Sequence, residues 1–482
     1  MKYALLIYVT CFTINLYAQK ETNNWVFGDS LLMTFTDTGI YSIPIPSNIR
    51  HESSASISDN AGNLLFHTDG KFVWNKLHNL MPNGCCLNID QYGPYASSIT
   101  QGVIIIPMPG NDTKYYIFTK SENNISYSLV NIAADGGLGD VEMQNIPILN
   151  DTLMEKMHAV KHANGRDWWL MVHESIPSFN PGLTNKFYKF LITPVGILGP
   201  FVQNVGNLID FYTSIGEMIF SPDGSKIALT GYNFVELFDF DRCTGDLTEF
   251  AYIDNFDIPS FTTYGCSFSP DGNKIYLSDL DILYQYCLNC NDSIEDTKNL
   301  IFDNPYGGYL IGQHELGPDG KIYFAIGYMV MPNNIFTYKN MNLCVINEPN
   351  LLGAACNIDT STIWLGGRRA IMGLPNMVNY TLGAIPGSEC DTLGVNVSAF
   401  EHQEIFSVFP NPTTDILHIN YSGTENVFYT LTITNATGAE VFKLQKFNSN
   451  KEINVKSFPA GAYFYTIYAD DKNIQSGTIV KD

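Results

Sequence analysis

The sequence predicts an all-β protein in which a β-propeller, most simply of seven blades, is followed by a small Ig-like β-sandwich. One segment occurs three times, as FSPDGSKIALT from Phe220, FSPDGNKIYLS from Phe268 and LGPDGKIYFA from Leu316. The glycines that end these and related turns recur at intervals of 48 to 59 residues. Beyond residue 403 the pattern changes to short alternating runs separated by closely spaced turns.

Each repeat has the pattern of a β-hairpin. Apolar runs flank the turn, such as EMIFS before Gly224 and KIALT after it. In the turn, proline presets the backbone, aspartate accepts hydrogen bonds from turn amides, and glycine adopts a positive φ. We therefore expect Asp223, Asp271 and Asp319 to shape turns rather than to act in catalysis. The six glycines that mark the hairpins are Gly62, Gly110, Gly165, Gly224, Gly272 and Gly320.

The propeller is predicted to span residues 19–383. Two further strands can follow each hairpin, and four strands in about 50 residues is the length of a propeller blade. At about 51 residues per blade, the stretch from Trp25 to Tyr380 accommodates seven blades, with six or eight as alternatives. Strands from both ends, WVFGDSLLMTF from Trp25 and MVNYTLG from Met377, are expected to close the ring and remove its open edges.

Residues 1–18 are predicted to be a cleaved signal peptide. Lys2 gives a basic start, an apolar run extends from Tyr3 to Tyr17, and the small residue Ala18 precedes Gln19. No later segment has the roughly 20 apolar residues of a membrane-spanning helix. We therefore expect an exported protein without a membrane span.

The charge balance disfavours nucleic acid as a partner. The 482 residues include 48 acids and 26 lysines and arginines, a formal net charge of −22. Such a charge repels phosphate backbones and anionic lipid surfaces.

Residues 384–403, AIPGSECDTLGVNVSAFEHQ, show no clear periodicity and are predicted to be a linker. Residues 404–482 then form short alternating runs between turns, including ILHINYSG, FYTLTITN and AYFYTIYA. This spacing is typical of a small β-sandwich.

The C-terminal segment also carries a set of motifs in a fixed order. The motif residues are Pro410, Asn411, Pro412, Asp415, Leu417, Ile419, Gly438 and the stretch PAGAYF from Pro459, which contains Gly461. In order and position they resemble the type A sorting domain of the Bacteroidetes type IX secretion system. Gly477 and Thr478 depart from that pattern, because a lysine often precedes the final apolar pair.

The resemblance implies export in two steps. The signal peptide would direct the chain through the inner membrane, and the type IX machinery would carry it through the outer membrane. A sortase-like peptidase would then remove the domain near Asp391, leaving a product that is secreted or attached to the cell surface. The expected partners are therefore the type IX machinery and its sortase.

The N-terminal region carries a second set of motifs, among them WVFG from Trp25, HANGRDWW from His162, FDFDRCTG from Phe238 and GLPNMV from Gly373. They are similar to those of secreted Bacteroidetes propellers with WD40-like or PD40-like repeats, some of which are associated with gliding motility. This resemblance implies the fold and the export route, and it does not indicate a catalysed reaction.

Polar side chains are expected where the first strand of each blade approaches the channel mouth. They are Glu52, Gln101, Glu155, His158, Glu217, Gln313 and His314. One interpretation is a polar, wet channel without a ligand. The other is a site for a cation such as Ca²⁺ or for a hydroxyl-rich ligand such as a sugar, because hard cations take oxygen ligands and clustered carboxylates need a counter-charge.

Of the ten cysteines, Cys11 lies in the predicted signal peptide, so at least one of the other nine is unpaired. Disulfides are expected in an exported protein. Cys243 closes one blade and Cys266 opens the next, and a disulfide between them would link adjacent blades. Cys287 and Cys290 form a CxxC without a second ligand pair at zinc-site spacing, so a zinc site is weakly supported.

Three functions are compatible with these features. The first is a non-catalytic propeller that binds glycan, protein or substratum at the cell surface or after secretion. The second is a hydrolase or lyase that uses Glu or His residues of the channel mouth as acid and base. The third is a structural component of a gliding or adhesion assembly. The sequence contains no catalytic motif that favours the second.

Overall fold

The computed structural model describes fourteen stretches of the chain, which divides into two compact units, residues 1–394 and 395–482. The predicted signal peptide and positions 392–403 of the predicted linker lie outside the described residues. The described residues are 20–47, 52–87, 99–177, 182–210, 213–254, 256, 263–279, 281–304, 309–328, 335–391, 406–421, 428–435, 439–469 and 472–481.

Within these residues the N-terminal unit contains seven antiparallel sheets, and strands adjacent in sequence are adjacent in each sheet. Sheet 1 consists of β1 (Asn24–Phe27), β2 (Leu31–Thr36) and β3 (Gly39–Pro44). Sheet 2 consists of β4 (Ala55–Ser58), β5 (Leu64–Thr68), β6 (Phe72–Asn75) and β7 (Leu80–Cys85). Sheet 3 consists of β8 (Val103–Pro107), β9 (Lys114–Lys120), β10 (Asn124–Asn131) and β11 (Asp140–Asn150).

The other four sheets repeat the four-stranded pattern. Sheet 4 consists of β12 (Leu153–Lys161), β13 (Trp168–Glu174), β14 (Thr184–Thr193) and β15 (Gly196–Ile209). Sheet 5 consists of β16 (Met218–Phe220), β17 (Lys226–Gly231), β18 (Phe234–Phe240) and β19 (Leu247–Ile253). Sheet 6 consists of β20 (Thr263–Phe268), β21 (Lys274–Asp279), β22 (Ile282–Cys287) and β23 (Asn299–Asp303). Sheet 7 consists of β24 (Tyr309–Leu316), β25 (Ile322–Tyr328), β26 (Asn342–Ile346) and β27 (Ile358–Trp364).

The seven sheets form a closed ring. The first strands of successive sheets contact one another in order from β1 to β24. Sheet 1 also packs against sheet 7, where the ring of Trp25 meets that of Tyr323 edge-on at 5.6 Å. The predicted seven-bladed β-propeller is therefore confirmed.

The repeated Pro-Asp-Gly segments form the turns between the first two strands of sheets 5, 6 and 7. In sheet 5, one carboxylate oxygen of Asp223 accepts hydrogen bonds from the Ser221 hydroxyl at 2.6 Å and from the Ser225 amide at 3.0 Å. Gly224 follows with a φ of +73°, which a side chain would disfavour. The aspartates thus hold the turns in shape, as their position in the repeat predicts.

Ring closure differs from the expectation that strands of both chain ends would share a sheet. All three described strands of sheet 1 come from the N-terminal end. The chain after β27 is joined to this sheet by Arg369, whose Nε donates to the Asp29 carboxylate at 2.6 Å and whose carbonyl accepts from the Asp29 amide at 3.0 Å. Both side chains are more than nine-tenths buried. A salt bridge and a backbone hydrogen bond connect the two ends where a shared ladder was expected.

The C-terminal unit is the predicted β-sandwich. One sheet contains β28 (Phe406–Phe409), β29 (Ile416–Tyr421) and β32 (Lys451–Asn454), and the other has the order β31 (Glu440–Phe447), β30 (Tyr429–Asn435), β33 (Gly461–Ala469) and β34 (Lys472–Lys481). Apolar side chains of both sheets, such as Leu417, Leu431 and Ile467, form one buried core.

Replacing Arg369 by methionine should destabilise the propeller by about 3–5 kcal/mol, because the carboxylate of Asp29 would stay buried without its counter-charge. Urea unfolding followed by tryptophan fluorescence measures this, since all five tryptophans lie in the N-terminal unit. The control is Lys20→Met, which removes the surface pair of Lys20 and Asp37 and should cost less than about 1 kcal/mol. Equal losses in the two variants would contradict the proposed closure.

Candidate ligand site in the propeller channel

Residues 372–381, which we term the channel segment, pass through the centre of the ring. At its start, the Met372 carbonyl accepts from the Gln313 amide at 2.8 Å, and the Leu374 amide donates to the Gln313 side chain at 2.7 Å. At its end, the Tyr380 hydroxyl donates to the Ile105 carbonyl at 2.9 Å. The propeller channel is thus filled by the chain itself.

Asn376 is the central residue of this segment. Its amide nitrogen Nδ2 donates to the carbonyls of Val103 at 3.2 Å and Met157 at 3.0 Å, which belong to sheets 3 and 4. Its backbone amide donates to the Ser54 carbonyl at 2.8 Å, just before sheet 2. One side chain and its backbone therefore connect three blades.

The structure brings the seven predicted channel residues around this segment. Glu155 and His158 lie on β12, Gln313 and His314 lie on β24, and the others immediately precede first strands. All are buried except Glu155, which is partly buried, so they lie inside the channel wall and not at an open mouth. A binding role for them stays a prediction. The residues in question are Glu52, Gln101, Glu155, His158, Glu217, Gln313 and His314.

The glutamines connect blades that lie across the channel from one another. Gln101 accepts from the Met218 amide at 2.9 Å and donates to the Met218 carbonyl at 3.0 Å, as a strand residue would. Gln313 donates to the Thr100 carbonyl at 2.9 Å. These side chains thus join sheets 3, 5 and 7, which are not adjacent in the ring.

Glu217 lies at the centre of the wall. One carboxylate oxygen accepts the amides of Cys266 at 2.9 Å and His314 at 3.2 Å. Burial raises the pKa of Glu217 to about 8, although these donors act to lower it. The side chain therefore carries a proton through much of the neutral range.

A second group of ionisable side chains surrounds Glu155. Its carboxylate accepts from both the amide and the hydroxyl of Thr100 at 3.0 Å. Burial raises the pKa of Glu155, and the nearby charge of Lys120 opposes that rise. Burial lowers the pKa of the adjacent Lys156 to about 7.

The two channel histidines are neutral at physiological pH. Burial lowers the pKa of His158 to about 4 and that of His314 to about 3. The Nε2–H of His158 donates to the Met377 carbonyl at 2.9 Å. Because this fixes the tautomer, Nδ1 of His158 is left as an acceptor, and it has no hydrogen-bonding partner in the described residues.

A cavity of about 590 Å³ opens where the first strands of sheets 4 to 7 end. The last residues of the channel segment form one wall, and the repeated turns contribute Ser221, Pro222 and Pro318. Of the seven predicted residues, His158 and His314 line this cavity. Glu315, one position beyond His314, lines it as well.

Reasoning from the sequence missed that a segment of the propeller occupies the channel. Glycines in the sequence are an indication of such a segment, because a residue without a side chain allows two backbones to approach closely. A Cβ on Gly373 would lie 1.8 Å from the Glu52 carbonyl oxygen, and one on Gly312 would lie 2.1 Å from that of Met372. A single sequence shows these glycines without showing what they contact.

The predicted disulfide between Cys243 and Cys266 is wrong. Cys243 is bonded to Cys390, and Cys266 is a buried free thiol. After the channel segment the chain crosses to the turn regions of sheets 4 and 5, where the Arg242 guanidinium donates to the Gly383 carbonyl at 2.7 Å. This path brings Cys390 to Cys243, whereas the side chain of Cys266 is packed in the core shared by sheets 5 and 6.

Other cysteines form two local disulfides, Cys85–Cys86 and Cys287–Cys290. The two cysteines of the CxxC motif therefore form a disulfide with each other and are not arranged as zinc ligands. In the described parts of the chain, no three His, Cys, Asp or Glu side chains are grouped so that they could hold a metal ion.

In the C-terminal unit the sorting motif holds the last strand. The side chain of Asn411 donates to the Thr478 carbonyl and accepts from the Val480 amide, both at 2.8 Å. The Asp415 carbonyl accepts from the Val455 amide at 2.8 Å, and Gly461 begins β33 with a φ of +151°. Pro410 and Pro412 flank Asn411, and Gly438 lies outside the described residues.

Comparison with protein families identifies this unit. Residues 407–481 match the family described as secretion system C-terminal sorting domain. The tail implies export by the type IX system, so the protein is secreted or attached to the cell surface. Among the described residues, no helix is long and apolar enough to cross a bilayer.

Solved structures that are similar to the chain include several propellers and propeller-like proteins. A candidate 6-phosphogluconolactonase from Bacteroides uniformis is 14% identical over 71% of this chain and 98% of its own, with a TM-score of 0.41. A functionally unknown protein from Desulfotomaculum acetoxidans is 14% identical over 73% of this chain and 98% of its own, with a TM-score of 0.37. The β-propeller domain of Cps50 (Swd1) from Myceliophteria thermophila is 11% identical over 64% of this chain and 94% of its own, with a TM-score of 0.36. No curated protein sequence matches the chain significantly.

Replacing Cys390 by serine should lower the stability of the N-terminal unit by roughly 2–4 kcal/mol, because the bond closes a long loop. The two cysteines are 147 positions apart. The control is Cys290→Ser, whose disulfide spans 3 positions and should therefore contribute less. Non-reducing mass mapping should join the peptides of Cys243 and Cys390, and recovery of Cys243 joined to Cys266 would contradict the structure.

Replacing Glu217 by glutamine should flatten the fall of stability with pH. The native pKa of about 8 exceeds the ordinary value of 4.5, so the stabilisation is complete below pH 4.5 and is lost as the pH rises to about 8. Between these limits one proton corresponds to about 1.4 kcal/mol per pH unit. Glutamine retains the acceptor oxygen for Cys266 and His314 but cannot ionise.

Urea unfolding at a series of pH values measures this slope. The control is Glu348→Gln, which changes an exposed carboxyl and should follow the unmodified protein. Parallel curves for Glu217→Gln and the unmodified protein would show that Glu217 keeps an ordinary pKa.

Proposed function

We propose that the chain is an exported binding module, a secreted or surface-attached propeller that recognises glycan, protein or substratum without catalysing a reaction. The sorting domain accounts for the export. The binding role is inferred from the way in which the channel side chains are used.

The observation that carries the proposal is that Glu155, Glu217 and Nε2 of His158 are hydrogen-bonded to the protein's own backbone. Glu217 accepts two amides, and His158 donates to the Met377 carbonyl. A general acid or base must exchange a proton with the substrate at hydrogen-bonding distance. Side chains committed to the backbone instead fix the shape of the channel wall, which supports binding over hydrolysis.

A second argument comes from the rigidity of the scaffold. The ring is closed by the buried pair of Asp29 and Arg369, and the channel segment joins blades across the centre. Binding surfaces are commonly built from loops and cavities that a rigid scaffold positions. Such a scaffold keeps a recognition surface preorganised, which reduces the conformational entropy lost on binding.

The full-length protein should bind one class of polymer on a glycan and peptide array and should release neither sugar nor peptide from it. Array binding and chromatography of the incubated polymer measure the two properties. The Glu217→Gln variant should bind equally well, because glutamine keeps the acceptor for both amides. A blank array, together with polymer cleavage that is lost in Glu217→Gln, would overturn the proposal in favour of a hydrolase.

A further inference from the structure

The cavity at the end of the channel has the size of a small-molecule site. Its volume of about 590 Å³ lies within the roughly 300–1,000 Å³ usual for ligand pockets. It is bounded by the ends of the first strands of sheets 4 to 7 and by the channel segment, both parts of the rigid centre. The repeat that defines the blades therefore also builds this cavity.

Most of the cavity wall is apolar or aromatic. The side chains that provide this surface include Val160, Phe220, Phe268, Leu316, Val378 and Tyr380. All of these except Leu316 are buried, and Leu316 is partly buried. A ligand with an apolar or ring-shaped skeleton would remove this surface from water.

The charged groups in the wall are of one sign. The described residues that line the cavity include two carboxyl side chains, Glu21 and Glu315, and no lysine or arginine. The lining histidines, His158 and His314, are neutral near pH 7 because burial lowers the pKa of each. The described part of the wall thus contains acidic side chains and no side chain that is positively charged at pH 7.

The two carboxyl groups differ in their surroundings. Burial raises the pKa of Glu21, and the nearby charge of Lys161 opposes that rise. Around Glu315, burial raises the pKa well above its ordinary value and the neighbouring carboxyl of Glu217 adds to the rise whenever it is ionised, while amides of Met377 and Leu316 oppose it. Without a cation nearby, Glu315 therefore favours its protonated form, and a cation in the cavity would stabilise the ionised form instead.

His158 supplies a second polar group. It is 7% exposed, and its Nδ1 atom has no hydrogen-bonding partner among the described residues. Since Nε2–H is committed to Met377, the remaining nitrogen can only accept a hydrogen bond at neutral pH. Two of the polar groups in the wall, Glu315 and His158, can therefore each accept a hydrogen bond from a ligand.

We propose that this cavity binds a small organic cation, a primary ammonium group on an apolar or hydroxylated skeleton, with Glu315 as its counter-charge. An amino sugar and a lysine side chain share this chemistry and are the two sources to be distinguished. The inference rests on the proposed function, because it names the ligand class of a binding module. The inference concerns only this cavity, whereas the glycan and peptide array described above tests the whole surface of the protein.

Calorimetry on the full-length protein at pH 7 tests the inference with pairs of probes that differ in one charge. Glucosamine is compared with N-acetylglucosamine, and Nα-acetyl-lysine amide with its Nε-acetylated form. At least one amine should bind ten-fold or more tightly than its acetylated partner. Whichever pair shows the difference identifies the source.

Glu315→Gln should weaken amine binding ten-fold or more and leave the acetylated probes unaffected. Glu348→Gln changes an exposed carboxyl between β26 and β27, and this variant should bind as the unmodified protein does. Lowering the pH from 7 to 5 should weaken amine binding, because protons compete with the amine for the Glu315 carboxylate while the amine stays charged. The other ionisable groups that face Glu315 or the cavity are Glu21, His158, Glu217, Cys266, His314 and Tyr380.

Equal binding of amine and acetylated probes, no binding of either, or unchanged binding by Glu315→Gln would overturn the inference. If array binding persists in that case, the proposed binding function stands and its site lies elsewhere. If the array is blank and a polymer is cleaved, the proposed function itself fails, whatever the amine probes show.

Discussion

The hydrogen bonds of Asn376 are the contacts on which the centre of the propeller depends. A ring of separate sheets has no backbone ladder between neighbouring blades, so its innermost strands leave polar groups that must be satisfied near the axis. Asn376 satisfies carbonyls of sheets 3 and 4 and bonds to the carbonyl of Ser54 before sheet 2. Gln101, Glu217 and Gln313 complete the same task around the wall. The polar side chains of the channel therefore serve in the first place to satisfy backbone groups near the axis.

The periodic part of this architecture could be predicted from the sequence, because it is local. The turn chemistry of Pro-Asp-Gly and the alternation around it identify hairpins, and their spacing gives the number of blades. The path of residues 372–381 could not be predicted, because several of its partners lie more than 200 positions away, as the pair of His158 and Met377 illustrates. The predicted disulfide between Cys243 and Cys266 was wrong for the same reason. Sequence proximity favoured Cys266 for Cys243, whereas the long return of the chain places Cys390 there.

The positions of the candidate site residues could be predicted from the sequence, but their contacts could not. Aligning the repeats correctly brought acids, glutamines and histidines to the axis, but it could not distinguish side chains that face solvent from those that bond to backbone. That distinction depends on the channel segment. It packs against the polar side chains along the axis and leaves a cavity at its own end. Glu315 belongs to that cavity because it lies one residue farther along β24 than His314. Its neighbour Glu217 does not line the cavity and accepts the amides of Cys266 and His314.

The bond between Cys243 and Cys390 has a mechanical consequence. The sorting unit follows Cys390 in the chain, so tension applied to the polypeptide from that side reaches the disulfide before it reaches the channel segment. The load then passes covalently into the turn between β18 and β19. The hydrogen bonds of residues 372–381 bear little of it, and the centre of the ring is shielded from shear. A protein held at a cell surface by its C-terminal end could be pulled without losing the packing of its axis.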